Sequence, residues 1–533
     1  MAPAPKLPIV YVRGYAGNTA GIDKVVTDPF YGFNEGSTHI RIGADDAPSF
    51  YQFESPLLRL HLDEGYQIIV DGGQELYLAT HPRIPPDSIW IHRFYDASAT
   101  TWGAHPHEFR LETAAEDLLR LIETIKEKSG APQVHLVAHS MGGLVCRCLI
   151  QKILPDLGRD PAEVVGKFFT YGTPHGGIAF DVGHGVLERL RDLTGVNGAD
   201  IFGPRRMYEY LTPKTLTDPD GPPVSWDPRA MPPEQPLAFP RNRVFCLIGT
   251  DPTDYEVAYG LSAATVGPRS DGLVQIDNAY VPGAHQSYVH RSHSGRYGLV
   301  NSEEGYQNLR RFLFGDLRVE AALVGAHLPP RGDTAWQAEV RLSVRGLQIV
   351  THERTSAQWC PIQLQNADGG LGGGADGETC LPLVDTFLHS GLRAENSDTL
   401  RYALHLRILS LQRHDGLLSF NDHLEQTADF DDILIVDVGA GPAAGPDFVA
   451  GPDPAAGPEP STAPTRSTAP ALSATWNSTI TGPISDYRPD GRSALGDENP
   501  APDLWVNHIR LPATAAPILG DDARIRLTVT PWD

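Results

Sequence analysis

Residues 133–152 constrain this chain more than any other stretch. Gln133-Val-His-Leu-Val-Ala138 is an apolar run of strand length, Met141 to Lys152 has helical spacing, and only His139 and Ser140 separate them. So abrupt a passage from strand to helix brings the two elements into close approach, and small residues must stand where they meet. Ala138 does so on the strand side, Gly142 and Gly143 on the helix side. A helix that packs back onto the strand it leaves belongs in a layered α/β arrangement, with further parallel strands beside the first.

The surrounding sequence supplies those strands. Pro8-Ile-Val-Tyr-Val12, Ser88 to Tyr95, Lys167 to Tyr171 and Arg243 to Ile248 are short apolar runs, and Tyr288-Val289 reads as the end of a final strand. Between them, Phe109 to Lys128 repeats apolar residues at helical spacing opposite a charged face, and Glu303 to Phe314 reads as a closing helix. Residues 1–315 are therefore expected to form an α/β domain with a mostly parallel central sheet. Two segments interrupt the rhythm, 18–85 with its aromatic clusters and 178–240 with its Pro, Gly and helical run Val186 to Leu193. Segments this long between core strands are expected to be caps, lids or binding loops.

Residues 316–533 have a different texture. Leu317 to Val324, Ala335 to Val350, Leu400 to Leu411, Ile433 to Val438, Leu504 to Arg510 and Arg524 to Thr530 alternate or carry β-branched residues, the pattern of a β-sandwich-like domain. Within it, Pro, Gly and Ala fill 22 of the 34 positions from Gly439 to Leu472. Such a composition buries no core and is expected to be an extended, flexible insertion, leaving one sandwich or two small β units as readings.

Charge and cysteine content narrow the function. Against 66 Asp and Glu stand 43 Lys and Arg, a net charge of −23, which repels nucleic acid and argues against a basic docking patch for anionic lipid. No run approaches the length of a membrane-spanning helix, so any lipid contact is expected to be peripheral. The proline-rich start, Met1 to Pro8, has no apolar leader-like run, and a cytoplasmic location is the expectation. Of five cysteines, Cys146, Cys148 and Cys246 read as packed thiols, while Cys360 and Cys380 bracket a Gly-rich loop and could pair in an oxidising compartment, a pairing the sequence leaves open.

Ser140 is the candidate nucleophile: a serine at a strand-to-helix turn projects its oxygen near a helix N-terminus, where developing negative charge is favoured. It needs a histidine base and an acid to orient that base, in the order Ser, acid, His. His293 lies in the loop between the last strand and the closing helix and is placed to reach Ser140, whereas His290 falls at the strand end. No Cys or carboxylate spacing makes a zinc site of the pair. Two acids remain open on the residues alone, Asp251 directly after a strand and Asp271 in an Asp-Gly turn. An oxyanion would be held by the N–H of Met141, next to the serine, and by a donor in Arg13-Gly-Tyr-Ala-Gly17, for which the N–H of Tyr15 is the candidate.

Arg13-Gly14-Tyr15, Ala138-His-Ser-Met-Gly-Gly143, Gly172-Thr-Pro-His-Gly-Gly177, Asp271-Gly-Leu-Val274 and His293-Ser-Gly295 occur in that order. Together they resemble the bacterial lipase and esterase branch of the α/β-hydrolases, and are also similar to the GPI-inositol deacylases. The resemblance covers roughly Leu7 to Phe314. It implies an α/β-hydrolase fold and a serine esterase or lipase working through an acyl-enzyme, with Ser140, Asp271 and His293 as catalytic triad. In that branch the acid sits in the Asp-Gly-Leu-Val motif, which selects Asp271 over Asp251. The branch's usual His-Gly in the oxyanion loop is Arg13-Gly14 here. Some members bind calcium just after the catalytic His, but Ser294 and Gly295 stand there, so neither metal nor cofactor is expected. His175 precedes the acid and is expected to shape the pocket. An acyltransferase, amidase or peptidase on the same triad is the alternative, with the β-rich domain as a substrate- or surface-binding module.

Overall fold

A computed structural model describes residues 6–14, 19–42, 47–70, 73–99, 109–178, 200–232, 235, 237–254, 266–329, 334–364, 380–393, 397, 399–414, 423–439, 471–489, 493–498 and 503–532. The chain divides into two compact units, Met1–Leu313 with Ala357–Cys360, and Phe314–Ser356 with Pro361–Asp533.

In the first unit, β1 (Ile9–Val12) leads into α1 (Thr19–Val26), a hairpin of β2 (Ser37–Ile42) and β3 (Pro48–Phe53), α2 (Pro56–Glu64), the two-residue β4 (Gln67–Ile68) and α3 (Gln74–Thr80). Then come β5 (Ser88–His92), α4 (Leu111–Ser129), β6 (Val134–His139), α5 (Met141–Cys148), β7 (Val165–Tyr171), α6 (Pro204–Leu211), β8 (Val244–Gly249), β9 (His285–Val289) and α7 (Glu303–Phe314). Seven strands make one parallel sheet in the order β4-β5-β1-β6-β7-β8-β9. β1, β7 and β8 are buried along their whole length, which is why they read as unbroken apolar runs rather than alternating ones. α4 covers the sheet with Leu111, Ala114, Ala115, Leu118, Leu119, Ile122 and Ile125, the apolar stripe its spacing predicts.

α5 does not stop at Cys148. It runs through a wider turn at Leu149–Ile153 into Leu154–Asp156, so the expected helix is longer and locally unwound. The segment 18–85 is more built than a simple cap, since it supplies the edge strand β4. In the segment 178–240 the structure describes α6 and its surroundings, while the helical run Val186 to Leu193 lies outside the described residues.

The second unit is a β-sandwich. Its strands are β10 (Leu317–Val324), β11 (Thr334–Val344), β12 (Val350–Arg354), β13 (Ile362–Gln363), β14 (Cys380–Leu388), β15 (Thr399–His414), β16 (His423–Gly439), β17 (Ala471–Trp476), β18 (Ala494–Leu495), β19 (Trp505–Arg510) and β20 (Arg524–Pro531). One sheet runs β14-β10-β20-β19 and the other β12-β11-β15-β16-β17-β18, with β13 beside β11. Alternate residues point inward, so Ile525, Leu527 and Val529 of β20 join Trp336, Val340, Leu404, Leu406 and Val436 in one core. Gly439 pairs with Ala471 where β16 meets β17, so the strands on either side of the Pro/Gly/Ala segment are neighbours in one sheet. Residues 440–470 themselves lie outside the described residues.

All five cysteines are free thiols. The pairing of Cys360 with Cys380, left open by the sequence, is not formed: Cys360 is packed with Ile248, Val274 and Tyr288 in the first unit, and Cys380 accepts a hydrogen bond from Arg526 in the second.

Candidate active site

The strand-to-helix turn after β6 is as tight as its small residues require. Ser140 has φ 54° and ψ −130°, a left-handed conformation that costs a non-glycine residue about 1–3 kcal/mol. The turn is clamped on both sides. Ser140 N–H donates to the Tyr171 carbonyl (2.9 Å), and the Thr173 hydroxyl donates to the Ser140 carbonyl (2.9 Å). A Cβ on Gly142 would overlap the Val12 and Arg13 carbonyls, and one on Gly143 would overlap the Thr173 side chain. Close approach therefore forces glycine at both positions.

Ser140 Oγ lies 2.9 Å from His293 Nε2, and His293 Nδ1 lies 2.8 Å from Asp271 Oδ2. The three residues are 5%, 2% and 1% exposed, so the chain of contacts is shielded from water. Asp271 Oδ1 accepts from the N–H groups of Leu273 (3.0 Å) and Val274 (2.8 Å), and the Asp271 carbonyl accepts from His293 N–H (2.8 Å). The Asp-Gly-Leu-Val turn thus folds around its own carboxylate and leaves one oxygen for the imidazole. Gly172, at φ 51°, makes room beside the pair, where a Cβ would stand 2.8 Å from Asp271 Oδ2 and 3.2 Å from His293 Nδ1.

The alternative residues are elsewhere. The Asp251 carboxylate is used locally by Thr253 and Asp254, which hold its pKa below the usual range against the opposing effect of burial. His290 is exposed at the end of β9. Met141 opens α5, so its N–H is among the first-turn amides that a helix leaves without an internal acceptor. Tyr15 lies outside the described residues. Among the described residues no group of three or more His, Cys, Asp or Glu is arranged to hold a metal ion, and no helix is long and apolar enough to cross a membrane.

A family model described as the alpha/beta hydrolase fold matches residues 88–160, the stretch from β5 through α5 that contains the Ser140 turn. The first unit has the alpha/beta hydrolase fold. The chain is also similar to solved structures of Bacillus licheniformis lipase BlEst2 in mature form (15% identity, 58% of this chain and 94% of that one, TM-score 0.31). A Listeria innocua gene product matches at 15% identity, with the same 58% and 94% coverage and a TM-score of 0.24. Aspergillus fumigatus lipase B matches at 13% identity over 54% of this chain and 44% of that one, with a TM-score of 0.22.

Around the triad-like cluster, the first unit holds further enclosed side chains, of which Arg147, Arg291 and Glu304 fall in no motif. His139 donates from Nε2 to the His293 carbonyl (2.9 Å), its ring centroid 4.9 Å from that of His293. Burial and the neighbouring imidazole keep its pKa well below the ordinary value, so it stands neutral. Arg291, two residues before His293, forms a two-pronged ion pair with Glu304 of α7, both nearly enclosed (Nε–Oε2 3.0 Å, Nη2–Oε1 2.9 Å). Arg147 of α5 is fully buried and donates to the carbonyls of His175 (3.0 Å) and Ala230 (2.9 Å), tying the second insertion to the helix behind Ser140. His175 is itself fully enclosed, with Nε2 toward Thr170 (3.2 Å), and is a packing residue rather than a base. A cavity of about 520 Å³ opens between the first insertion and the end of β5, its wall apolar at Val26, Phe30, Ile69 and Leu76 and charged at Glu75, Arg93 and Asp96.

Proposed function

We propose that the hydrolase unit cleaves carboxylic esters through an acyl-enzyme, with Ser140, His293 and Asp271 as its triad. The observation that carries this reading is the buried line Ser140 Oγ–His293 Nε2 (2.9 Å) and His293 Nδ1–Asp271 Oδ2 (2.8 Å). His293 Nε2 takes the hydroxyl proton as Oγ bonds to the ester carbonyl carbon. Asp271 fixes the tautomer with the proton on Nδ1 and stabilises the imidazolium that forms. The Met141 N–H and a donor of the loop after β1, for which Tyr15 is the candidate, hold the oxyanion. The imidazolium returns its proton to the departing alkoxide, and a water activated by His293 then releases the acid and frees Ser140. The substrate is a small-molecule or lipid ester.

The test is Ser140→Ala. Turnover of p-nitrophenyl butyrate is expected to fall by at least about 10³-fold with an unchanged far-UV circular dichroism spectrum. A fluorophosphonate should add one mass label to the unsubstituted chain and none to the variant. Undiminished turnover in Ser140→Ala would remove the mechanism.

A further inference from the structure

The backbone that follows β1 stands directly against the serine. A Cβ on Gly14 would lie 2.5 Å from Ser140 Cβ and 3.2 Å from Ser140 Oγ. The position of residues 13 and 14 therefore sets the space around the reacting oxygen, and something must hold that backbone where β1 has already ended. Tyr95 contributes a long hydrogen bond from its hydroxyl to the Gly14 carbonyl (3.4 Å). The other hold comes from Arg13, whose Nη1 donates to the Tyr31 carbonyl. Its guanidinium lies where a Cβ on Gly32 would be, so that glycine leaves the room it occupies. Burial disfavours the charge on Arg13, and Glu35 and Asp28 oppose that effect.

The acceptor end is itself rigid. Asp28 accepts from the N–H groups of Phe30 (2.8 Å) and Gly32 (2.9 Å), which closes the turn that presents the Tyr31 carbonyl. The Tyr31 hydroxyl donates to Asp96 (2.7 Å), Asp96 pairs with Arg93 (2.8 Å), and Arg93 donates to the carbonyls of Val26, Asp28 and Pro29. Arg93 and Asp96 follow directly on β5, which pairs with β1. The turn is thus fixed to the same sheet that carries Ser140, and Arg13 is the strut from the loop to that turn.

We infer that Arg13 is a positioning residue for the chemical step: by donating to the Tyr31 carbonyl it holds the Arg13–Gly14 backbone in its close approach to the reacting oxygen of Ser140. This rests on the serine-hydrolase reading. A donor loop displaced by about 1 Å weakens the transition state by up to about 100-fold while hardly changing ground-state binding. A lysine offers one compact ammonium in place of a planar fork and restores the strut only in part.

The experiment compares the unsubstituted full chain with Arg13→Met, which keeps an apolar stem and removes every donor, and with Arg13→Lys. For each, kcat and KM on p-nitrophenyl butyrate are measured beside the rate of fluorophosphonate labelling of Ser140, with far-UV circular dichroism as the control for folding. Arg13→Met is expected to lower kcat and the labelling rate together by about 10- to 100-fold, with KM within about threefold, and Arg13→Lys to fall between it and the unsubstituted chain. A kcat within threefold in folded Arg13→Met, or a loss confined to KM, overturns the inference and leaves the serine-hydrolase reading standing. Should Arg13→Met not fold, Arg13→Lys decides, and an unchanged kcat there is the overturning result. Absence of both turnover and labelling in the unsubstituted chain would instead overturn the underlying reading.

Discussion

Asp251 and Asp271 show what a single residue's chemistry owes to its immediate turn. Both lie in the long connection between β8 and β9, and both accept hydrogen bonds from residues two or three further on. In both turns these bonds fall on Oδ1, and the difference is what stands beside the carboxylate: Asp271 Oδ2 meets His293 Nδ1 at 2.8 Å, whereas the Asp251 bonds, with the Thr253 hydroxyl at 2.7 Å among them, serve its own turn alone. Asp271→Asn is expected to lower kcat by about 10⁴-fold while circular dichroism stays unchanged, because an amide donor facing Nδ1 favours the tautomer that cannot accept the Ser140 proton. Asp251→Asn, which retains an acceptor oxygen for its own turn, is expected to leave kcat within about threefold. If the two variants exchanged these outcomes, Asp271 would lose its role. Linear spacing left this pair open because either acid could be carried to the serine by its strand. The choice rested on motif resemblance, and the deciding contacts, including the Gly172 and Gly249 surfaces against Asp271, are made by residues far from it in the chain.

The elements bearing the cluster were legible where burial imposes a simple pattern and illegible where it does not. β1 and β5 to β8 lie inside the sheet, and their apolar runs survive as sequence signals; α4 shows its stripe for the same reason. β4 has two residues at the sheet edge, too few for any period, and the β2–β3 hairpin is hidden in a mixed segment. The histidine-bearing loop is the most informative case. Its sequence, Arg291-Ser-His-Ser-Gly, shows the candidate base but not the anchor, because Glu304 reads as an ordinary acidic residue in the first turn of a surface helix. In the fold it is buried and meets both prongs of Arg291. Glu304→Gln leaves a buried guanidinium without its counter-charge and is expected to cost about 3–5 kcal/mol of stability, read from the urea midpoint of the hydrolase unit. Activity should fall with it as the loop loosens. A midpoint shifted by less than about 1 kcal/mol would mean that the loop is held by its backbone bonds, such as Ser292 N–H to Tyr297 (3.0 Å) and Leu299 N–H to Ser292 (3.0 Å), rather than by the ion pair.

At the scale of the whole molecule, alternation was enough to foresee a sandwich in the second unit, yet the long partners β15 and β16 exceed the runs that β-branched residues mark, since their outer ends are polar. Buried histidines were equally invisible, for nothing in a sequence separates an enclosed imidazole from an exposed one. The hydrolase unit encloses His92, His135, His139 and His175. Burial lowers His92 to about 4 and His135 to about 3, and takes His139 and His175 well below 6.5. In the unfolded chain each regains a pKa near 6.5 and takes up a proton below it, while the folded unit does not. The unfolded state therefore binds more protons between about pH 6.5 and pH 4, and stability is lost as pH falls through that window. Each such histidine contributes a slope approaching about 1.4 kcal/mol per pH unit. The urea midpoint of the hydrolase unit should accordingly hold from pH 8 to 7 and drop steeply from pH 6 to 4.5, a range that begins above the titration of ordinary carboxylates. His92→Gln keeps a donor for the Ala114 carbonyl, which His92 Nε2 meets at 2.8 Å, and removes one proton site from the unfolded chain. That variant should show a shallower acid slope by about one histidine's share. A midpoint that stayed level from pH 7 to 5 would show that these imidazoles are protonated in the folded protein, and with His139 charged beside it the neutral neighbour argued for His293 would be lost.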